Sequence, residues 1–197
     1  MEPTNIGKIH LVIGPMFAGK SSTIIKIYQK KIKMQKRCVF IKHVKDNRYG
    51  CELTETVTHS GQTIRDCVAT SVLSYVDTSN YDYIFIDEGQ FFSDLGATCK
   101  DWAIKGKRVT VAALDGNYEQ QLFPSVIKLI PICDKIEKLS AVCMICNKNE
   151  ASLTKKYLPY NNTGDDDHHK YDMCVGGTET YCAVCIGCAN FSFKYLF

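Results

Sequence analysis

The amino-acid sequence predicts an α/β fold in which a parallel sheet carries helices on both faces. Three observations lead to this prediction. Short apolar runs of strand length alternate with longer segments of helical periodicity, the first strand and helix enclose a glycine-rich turn, and a later apolar strand ends in two adjacent acids. Strands that alternate with helices along a chain form parallel sheets, because the helices supply the crossover connections.

The glycine-rich turn lies between a predicted strand, residues 8–13, and a predicted helix, residues 20–35. It fits the phosphate-binding pattern of two glycines separated by four residues, followed by lysine and a hydroxyl. Backbone N–H groups and the helix N-terminus then face the phosphates, the lysine adds positive charge, and the hydroxyl can ligate Mg²⁺. This phosphate loop comprises Gly14, Pro15, Met16, Phe17, Ala18, Gly19, Lys20 and Ser21. Its flanks favour a P-loop nucleotide site over an ordinary glycine-rich turn.

The apolar strand at residues 83–86 ends in Asp87 and Glu88. In P-loop NTPases an acid at this position holds the Mg²⁺ shell, which suits Asp87, and a second acid can act as a base, which suits Glu88. Gly89 permits a turn that would direct the two carboxylates to different sides. The alternative is an acid pair that caps the helix predicted at residues 93–105.

Further elements complete the predicted sheet. A strand at residues 38–41 leads into a polar loop, where Arg48 can reach a phosphate or can be an ordinary surface arginine. A small hairpin is predicted at residues 54–63, a short helix at 71–76, and another buried strand at 108–114. Gly106 ends the helix that precedes this strand.

Length and composition restrict the classes of protein. The chain has 197 residues, of which 45% are hydrophobic, and no apolar run approaches the roughly 18 residues that span a membrane. A net charge of +3 is too small to indicate a nucleic-acid partner, so the basic cluster at residues 26–37 is interpreted as a solvated helix face. Residues 1–7 contain no apolar signal region, which predicts a cytoplasmic protein.

Eleven cysteines in such a chain favour metal binding over disulfides. From residue 141 a Cys-x-x-Cys pair, Cys143 and Cys146, precedes three cysteines that compete for two places, Cys182, Cys185 and Cys188. Paired knuckles of this kind are typical of a structural zinc. We therefore expect a nucleotide-binding domain at residues 1–140 and a zinc-binding subdomain at 141–197. The acidic and histidine-rich run at 165–169 is interpreted as a solvated loop rather than a second metal site.

An ordered set of motifs resembles the zinc-containing thymidine kinases found in the cytosol of animals, in bacteria and in large DNA viruses. The resemblance covers nearly the whole chain. It is carried by the motifs at residues 14–21, 45–49, 87–92, 112–116, 139–143 and 175–177, together with Tyr181.

The resemblance implies transfer of the ATP γ-phosphate to the 5′-hydroxyl of thymidine. Glu88 would be the base, while Asp87 and Ser21 would serve Mg²⁺. The family pattern extends the ATP contacts beyond the phosphate loop to Asp46, Asn47, Arg48, Asp87, Glu88, Gly89 and Gln90. It also selects Cys143, Cys146, Cys185 and Cys188 as the zinc ligands.

On the nucleoside side, the resemblance implies a loop called the lasso, which is anchored by the zinc ribbon and closes over thymine. Its backbone groups would come from Asp172, Met173, Cys174, Val175 and Gly176. The remaining pocket residues would be Met16, Phe91, Leu114, Tyr118, Thr154 and Tyr181. Members of the family are typically homotetramers that are inhibited by dTTP.

Three departures from the family pattern stand out. Tyr118 replaces a frequent phenylalanine, the lasso carries about nine extra residues at 161–169, and Cys182 adds a thiol. Alternative functions remain: a P-loop kinase of another deoxynucleoside, a GTPase-like switch, or a zinc-ribbon nucleic-acid module. The switch lacks its guanine-reading motif, and acids at 165–167 disfavour the nucleic-acid module.

Overall fold

The computed structural model describes residues 6–46, 56–57, 63–64, 67–156 and 177–190. Three α-helices and twelve strands occur in these ranges. In chain order they are β1 (Lys8–Gly14), α1 (Lys20–Lys33), β2 (Cys38–His43), β3 (Thr56–Val57), β4 (Thr63–Ile64), β5 (Val68–Thr70), β6 (Tyr83–Ile86), α2 (Leu95–Ile104), β7 (Arg108–Leu114), α3 (Pro124–Ile127), β8 (Lys135–Lys138), β9 (Ala141–Val142), β10 (Glu150–Ala151), β11 (Leu153–Lys156) and β12 (Tyr181–Val184).

Six of these strands form one sheet in the order β5-β2-β6-β7-β1-β8. Every pairing in it is parallel, so the carboxyl ends of all six strands lie along the same edge. The phosphate loop follows β1 and the two acids follow β6, with only β7 between these strands. This is the parallel α/β architecture that the sequence predicts, and it brings both motifs to one edge.

Apolar side chains cover both faces of the sheet. On one face, Ile24 and Ile25 of α1 pack with Val12, Phe40 and Phe85. The larger cluster on the other face includes Leu95, Cys99 and Trp102 of α2 and two residues at and after α3, Val126 and Leu129. Helices on both faces are therefore confirmed.

Several predicted boundaries change. Helix α1 ends at Lys33, because the next residues leave the helical conformation and Gln35 has a φ of 54°. Strand β2 continues to His43, two residues past its predicted end, because it pairs with β5. The helix predicted at 71–76 is a 3₁₀ turn at Leu73–Tyr75, which the carboxylate of Asp94 holds by accepting from the N–H groups of Leu73 and Ser74. The hairpin predicted at 54–63 corresponds to the antiparallel pair β3 and β4.

The two edge strands, β5 and β8, were not predicted. Strand β5 has three residues, all half-buried, and β8 reads Lys-Ile-Glu-Lys. Neither sequence shows the apolar run of a buried strand, because an edge strand of this sheet is only partly covered. Their backbone pairing places them in the sheet.

After β8, the long parallel strands give way to two short antiparallel pairs, β9 with β10 and β11 with β12. These pairs surround a small third cluster of buried alanines, cysteines and Val184. Phe17 and Ala18 of the phosphate loop pack against this cluster. The domain boundary at residue 140 stays a prediction, but the cysteine region is in direct contact with the phosphate loop.

None of the helices in the described ranges is both long and apolar enough to cross a bilayer.

Candidate functional site

Backbone geometry explains the glycines of the phosphate loop. Gly14 has a φ of +150°, and a Cβ there would lie 2.4 Å from the carbonyl oxygen of Leu139. Gly19 has a φ of +79°, and no atom lies within 4 Å of where a Cβ would be. The backbone conformation, not a lack of space, therefore favours glycine at this position. Phe17 also adopts a positive φ, 64°, without being glycine. Left-handed residues of this kind allow a loop to turn its N–H groups inward, as anion binding requires.

The lysine of this loop is buried and folded back onto it. Lys20 is 8% exposed, and its Nζ donates to the carbonyl oxygen of Pro15 at 2.6 Å. Lys20 is also the first residue of α1, so the positive end of the helix and the ammonium group lie at the same place. Both favour a bound anion.

The two acids follow β6 as predicted and lie beside the phosphate loop. The Asp87 backbone N–H donates to Ile41 of β2 at 3.0 Å. The Asp87 Oδ1 atom accepts from the Ser21 hydroxyl and from the Glu88 backbone N–H, each at 3.0 Å. Both carboxylates are buried, with Asp87 3% and Glu88 7% exposed. The Ser21 hydroxyl and the Asp87 carboxylate are thus in direct contact beside the phosphate loop, and both are oxygen groups of the kind that Mg²⁺ prefers.

The chain turns at Glu88 itself, which corrects the role predicted for Gly89. Glu88 has a φ of 52° and a ψ of 44°, the left-handed conformation, and Gly89 begins a 3₁₀ turn with an ordinary φ. Gly89 is required for a different reason, because a Cβ there would lie 2.7 Å from the Cγ1 atom of Val111. A left-handed glutamate is uncommon, and such strain is concentrated at functional sites.

Gln90 occupies a central position that sequence reasoning missed. Its side-chain Nε2 donates to the Glu88 Oε2 atom at 2.5 Å, and its Oε1 accepts from the Leu114 backbone N–H at 3.1 Å. Its own carbonyl oxygen accepts from the Ser125 hydroxyl at 3.1 Å. The resemblance predicted only an ATP contact for this residue, and no sequence pattern reveals that the amide joins the β6 turn to the end of β7.

The end of β2 reaches the same edge of the sheet. Asp46 follows this strand and donates its backbone N–H to the carbonyl oxygen of His43 at 2.9 Å. His43 is buried against Phe92, with ring centroids 4.8 Å apart. Burial, reinforced by the charge of Lys45, lowers the pKa of His43, so its imidazole is neutral near pH 7. The predicted ATP contacts Asn47 and Arg48 lie outside the described residues.

Several predicted nucleoside-pocket residues are connected to this edge. The Met16 backbone N–H donates to the Thr154 hydroxyl at 3.0 Å in a buried bond, which ties the phosphate loop to β11. Tyr118, after β7, faces Tyr181 of β12 with ring centroids 6.4 Å apart, and Lys156 lies over the Tyr118 ring. Phe91 and Leu114 are both half-buried. Phe91 follows Gln90 in the chain, and the Leu114 backbone N–H donates to the Gln90 Oε1 atom. The lasso residues 172–176 and the extra segment 161–169 lie outside the described residues.

Four thiols of the C-terminal region converge. The sulfurs of Cys143, Cys146, Cys185 and Cys188 all lie within 4.8 Å of one another. Four thiolates around one zinc, each about 2.3 Å from it, would stand roughly 3.8 Å apart, so this donor set is compatible with a structural zinc. Cys182 is buried on β12 and is not part of this cluster.

The surroundings of the cluster favour the thiolate form at two of its four cysteines, Cys143 and Cys185. Burial by itself raises the pKa of Cys143, but backbone N–H groups of Cys146, Cys185 and Ile145 outweigh this and lower it to about 6. The pKa of Cys185 is lowered in the same way, with help from the Asn149 amide, whose Nδ2 lies 3.7 Å from the Cys185 sulfur. In the absence of metal, the neighbouring Cys185 sulfur raises the pKa of Cys188 to about 12. Thiolates are the form that binds zinc.

Comparison with known proteins agrees with this geometry. The family model described as thymidine kinase matches residues 7–189. A thymidine kinase of sheeppox virus is 38% identical over 92% of this chain and 96% of its own length. A thymidine kinase of vaccinia virus is 38% identical over 93% of this chain and 97% of its own. Thymidine kinase 1 of Dictyostelium discoideum is 39% identical over 93% of this chain and 78% of its own. A match of this extent and identity shows that the chain belongs to the thymidine kinase family.

Proposed function

We propose that this protein phosphorylates thymidine, by transferring the γ-phosphate of ATP to the 5′-hydroxyl and releasing ADP and dTMP. The observation that carries the proposal is the match along more than nine-tenths of the chain to viral proteins named thymidine kinase. The arrangement of the phosphate loop beside two buried acids supports it, because phosphoryl transfer needs phosphate binding, a metal site and an acceptor for the hydroxyl proton.

The phosphate side of the site is proposed to work through Lys20, Ser21 and Asp87. The backbone of residues 14–19 and the N-terminus of α1 would bind the phosphates, and Lys20 would neutralise charge on the transferred group. Ser21 and Asp87, already hydrogen-bonded to each other, would hold Mg²⁺. When bound, the ion offsets negative charge on the phosphate oxygens. Asp46, Asn47, Arg48, Gly89 and Gln90 remain predicted ATP contacts from the resemblance.

Glu88 is the proposed general base. In the transfer, the 5′-oxygen forms a bond to the γ-phosphorus, the bond from that phosphorus to the β-bridging oxygen breaks, and the hydroxyl proton passes to the Glu88 carboxylate. Glu88 follows directly after the proposed Mg²⁺ ligand Asp87, and its left-handed backbone turns the chain there. Two neighbouring acids can then serve two different groups.

The nucleoside is proposed to bind at the side where the phosphate loop meets β11 and β12. Tyr118 and Tyr181 offer aromatic surfaces, and Met16, Phe91, Leu114 and Thr154 would pack against thymine. Lasso backbone groups from residues 172–176 would read the base. Tyr118, where the family often has phenylalanine, adds a hydroxyl to this wall of the pocket.

One assay tests the proposed reaction. Purified protein is incubated with Mg-ATP and each of the four deoxynucleosides in turn, and the 5′-monophosphate is measured. We expect thymidine to be the preferred acceptor by kcat/KM. Preference for another deoxynucleoside would instead favour the alternative P-loop kinase, and ATP hydrolysis to ADP without any deoxynucleoside monophosphate would exclude both.

A structural zinc is proposed at Cys143, Cys146, Cys185 and Cys188, with about one ion per chain. Cys188→Ser should lose most of the metal, because three thiolates bind zinc less well than four. Cys182→Ser should keep it, because Cys182 is not part of the cluster. Metal analysis of the purified variants measures the difference, and Cys182→Ala serves as a control for the cost of a buried hydroxyl. Zinc retained in Cys188→Ser but lost in both Cys182 variants would overturn the assignment.

Loss of zinc should affect substrate binding as well. The ribbon is proposed to anchor the lasso, so thymidine binding should weaken more than ATP binding. Some effect on ATP is also expected, since Phe17 and Ala18 pack against the cysteine cluster and Thr154 accepts from Met16. Titration of each ligand into zinc-depleted protein measures both.

Assembly and regulation are proposed from the resemblance alone. A homotetramer, inhibition by dTTP and a cytoplasmic location are the family's usual properties. Light scattering on the purified protein measures the oligomeric state, and a dTTP titration of the kinase assay measures the inhibition.

A further inference from the structure

Gln90 is a buried residue whose side-chain amide and backbone carbonyl are both hydrogen-bonded to other elements. It lies two positions after Glu88 in the 3₁₀ turn, and it is 4% exposed. Its amide joins two different elements, the Glu88 carboxylate at the end of β6 and the Leu114 backbone at the end of β7. Its carbonyl oxygen also accepts from Ser125 in α3, so the backbone of the turn is fixed as well.

These contacts determine which way the amide points. The Leu114 backbone N–H can only donate, so it must face the Oε1 atom of Gln90. The NH₂ group therefore faces Glu88. A flipped amide would place two donors together at Leu114 and two oxygens together at Glu88, and it would lose both hydrogen bonds. Gln90 is thus restricted to donating to Glu88.

A fixed donor has a chemical consequence for a base. A hydrogen bond donated by a fixed group restrains the direction of the carboxylate that accepts it. Glu88 is 7% exposed, so bulk water has little access to this carboxylate. The same bond restricts the rotation of a side chain whose left-handed backbone alone does not fix its direction.

We propose that Gln90 is a positioning residue that acts through Glu88, keeping its carboxylate oriented for the 5′-hydroxyl. This inference rests on the proposed function, in which Glu88 is the base. The Leu114 link extends the arrangement to a residue predicted to pack on thymine, so the base and the nucleoside pocket share one support.

Gln90→Met tests the role, because methionine has a similar length but cannot donate to Glu88. We expect kcat to fall about 10- to 100-fold, the usual effect of losing a hydrogen bond to a charged group. The KM for ATP, which loss of the predicted ATP contact can also raise, should change by less than kcat falls. A higher KM for ATP with an unchanged kcat would leave Gln90 with the ATP contact alone and contradict the inference.

Two further variants separate this role from a structural one. Gln90→Glu keeps an acceptor for Leu114 but places a second carboxyl group beside Glu88, so it should lower kcat at least as far as Gln90→Met. It also keeps the test available if Gln90→Met fails to fold. Gln29→Met makes the same exchange on the exposed surface of α1 and should leave kcat unchanged.

A double-mutant cycle with Glu88→Gln completes the test. If Gln90 acts through Glu88, Gln90→Met should lower kcat by less than about threefold in the Glu88→Gln background. A full multiplicative loss would contradict the inference. The proposed function fails separately. If Glu88→Gln alone leaves kcat unchanged, the base assignment is wrong, whereas a low Glu88→Gln activity with near-normal kcat in both Gln90 variants overturns only the role of Gln90.

Discussion

Replacing Lys20 with alanine is expected to lower kcat by at least about two orders of magnitude, because the variant loses the ammonium group proposed to neutralise the transferred phosphate. In this structure the Lys20 Nζ atom donates to the carbonyl oxygen of Pro15, within the phosphate loop itself. This contact keeps a buried ammonium group paired, and a bound phosphate can replace the carbonyl as its partner. Steady-state kinetics with Mg-ATP and thymidine, together with ATP binding by calorimetry, measures both effects.

Lys26→Ala is the matched control for this variant. Lys26 lies on the same helix and is exposed, so its removal changes the net charge equally but leaves the loop intact. Its kcat should remain near that of the wild type. Since Lys20→Ala removes a buried side chain, its thermal unfolding should be compared with that of the wild type. A folded Lys20→Ala protein with near-normal kcat would mean that the nucleotide binds elsewhere.

The parts of this site that sequence predicts are those in which the local pattern and the chemistry coincide. The phosphate loop has fixed spacing, and its neighbours carry the periodicities of a strand and a helix. The acids at 87 and 88 end an apolar run, and a parallel sheet brings such ends to one edge. For these residues, the local sequence indicates both the secondary structure and the side chain that would carry out the chemistry.

The parts that sequence does not predict depend on contacts between distant segments. Thr154 reaches Met16 across 138 positions, and Gln90 reaches Leu114 across 24. The sequence predicts a turn at the acids but assigns it to Gly89, because glycine is the residue expected to adopt unusual backbone angles. The structure places the left-handed angle at Glu88, and Gly89 is instead required by the approach of Val111. Such packing constraints have no signature in a single sequence.

Glu88→Gln is expected to lower kcat roughly 10²- to 10⁴-fold, the usual contribution of general base catalysis. Glutamine preserves size and keeps an oxygen that can accept from Gln90, so the turn and its link to Leu114 should survive. It loses only the capacity to take the hydroxyl proton. Thymidine affinity should therefore change much less than kcat, and equilibrium binding of thymidine beside single-turnover kinetics measures the two separately.

The wild-type pH profile provides an independent check on the same assignment. A base works only when ionised, so kcat should fall as the pH drops through the pKa of Glu88 in the ternary complex, and this acid limb should disappear in Glu88→Gln. Asp87→Asn should behave differently, because it removes a proposed Mg²⁺ ligand and should raise the Mg²⁺ concentration needed for half-maximal rate while keeping the acid limb. If Glu88→Gln stays within about threefold of the wild-type kcat and keeps the acid limb, the proton passes to another group or directly to the phosphate. A dissociative transition state permits that outcome, because the attacking hydroxyl then needs little activation before the bond to the leaving group is largely broken.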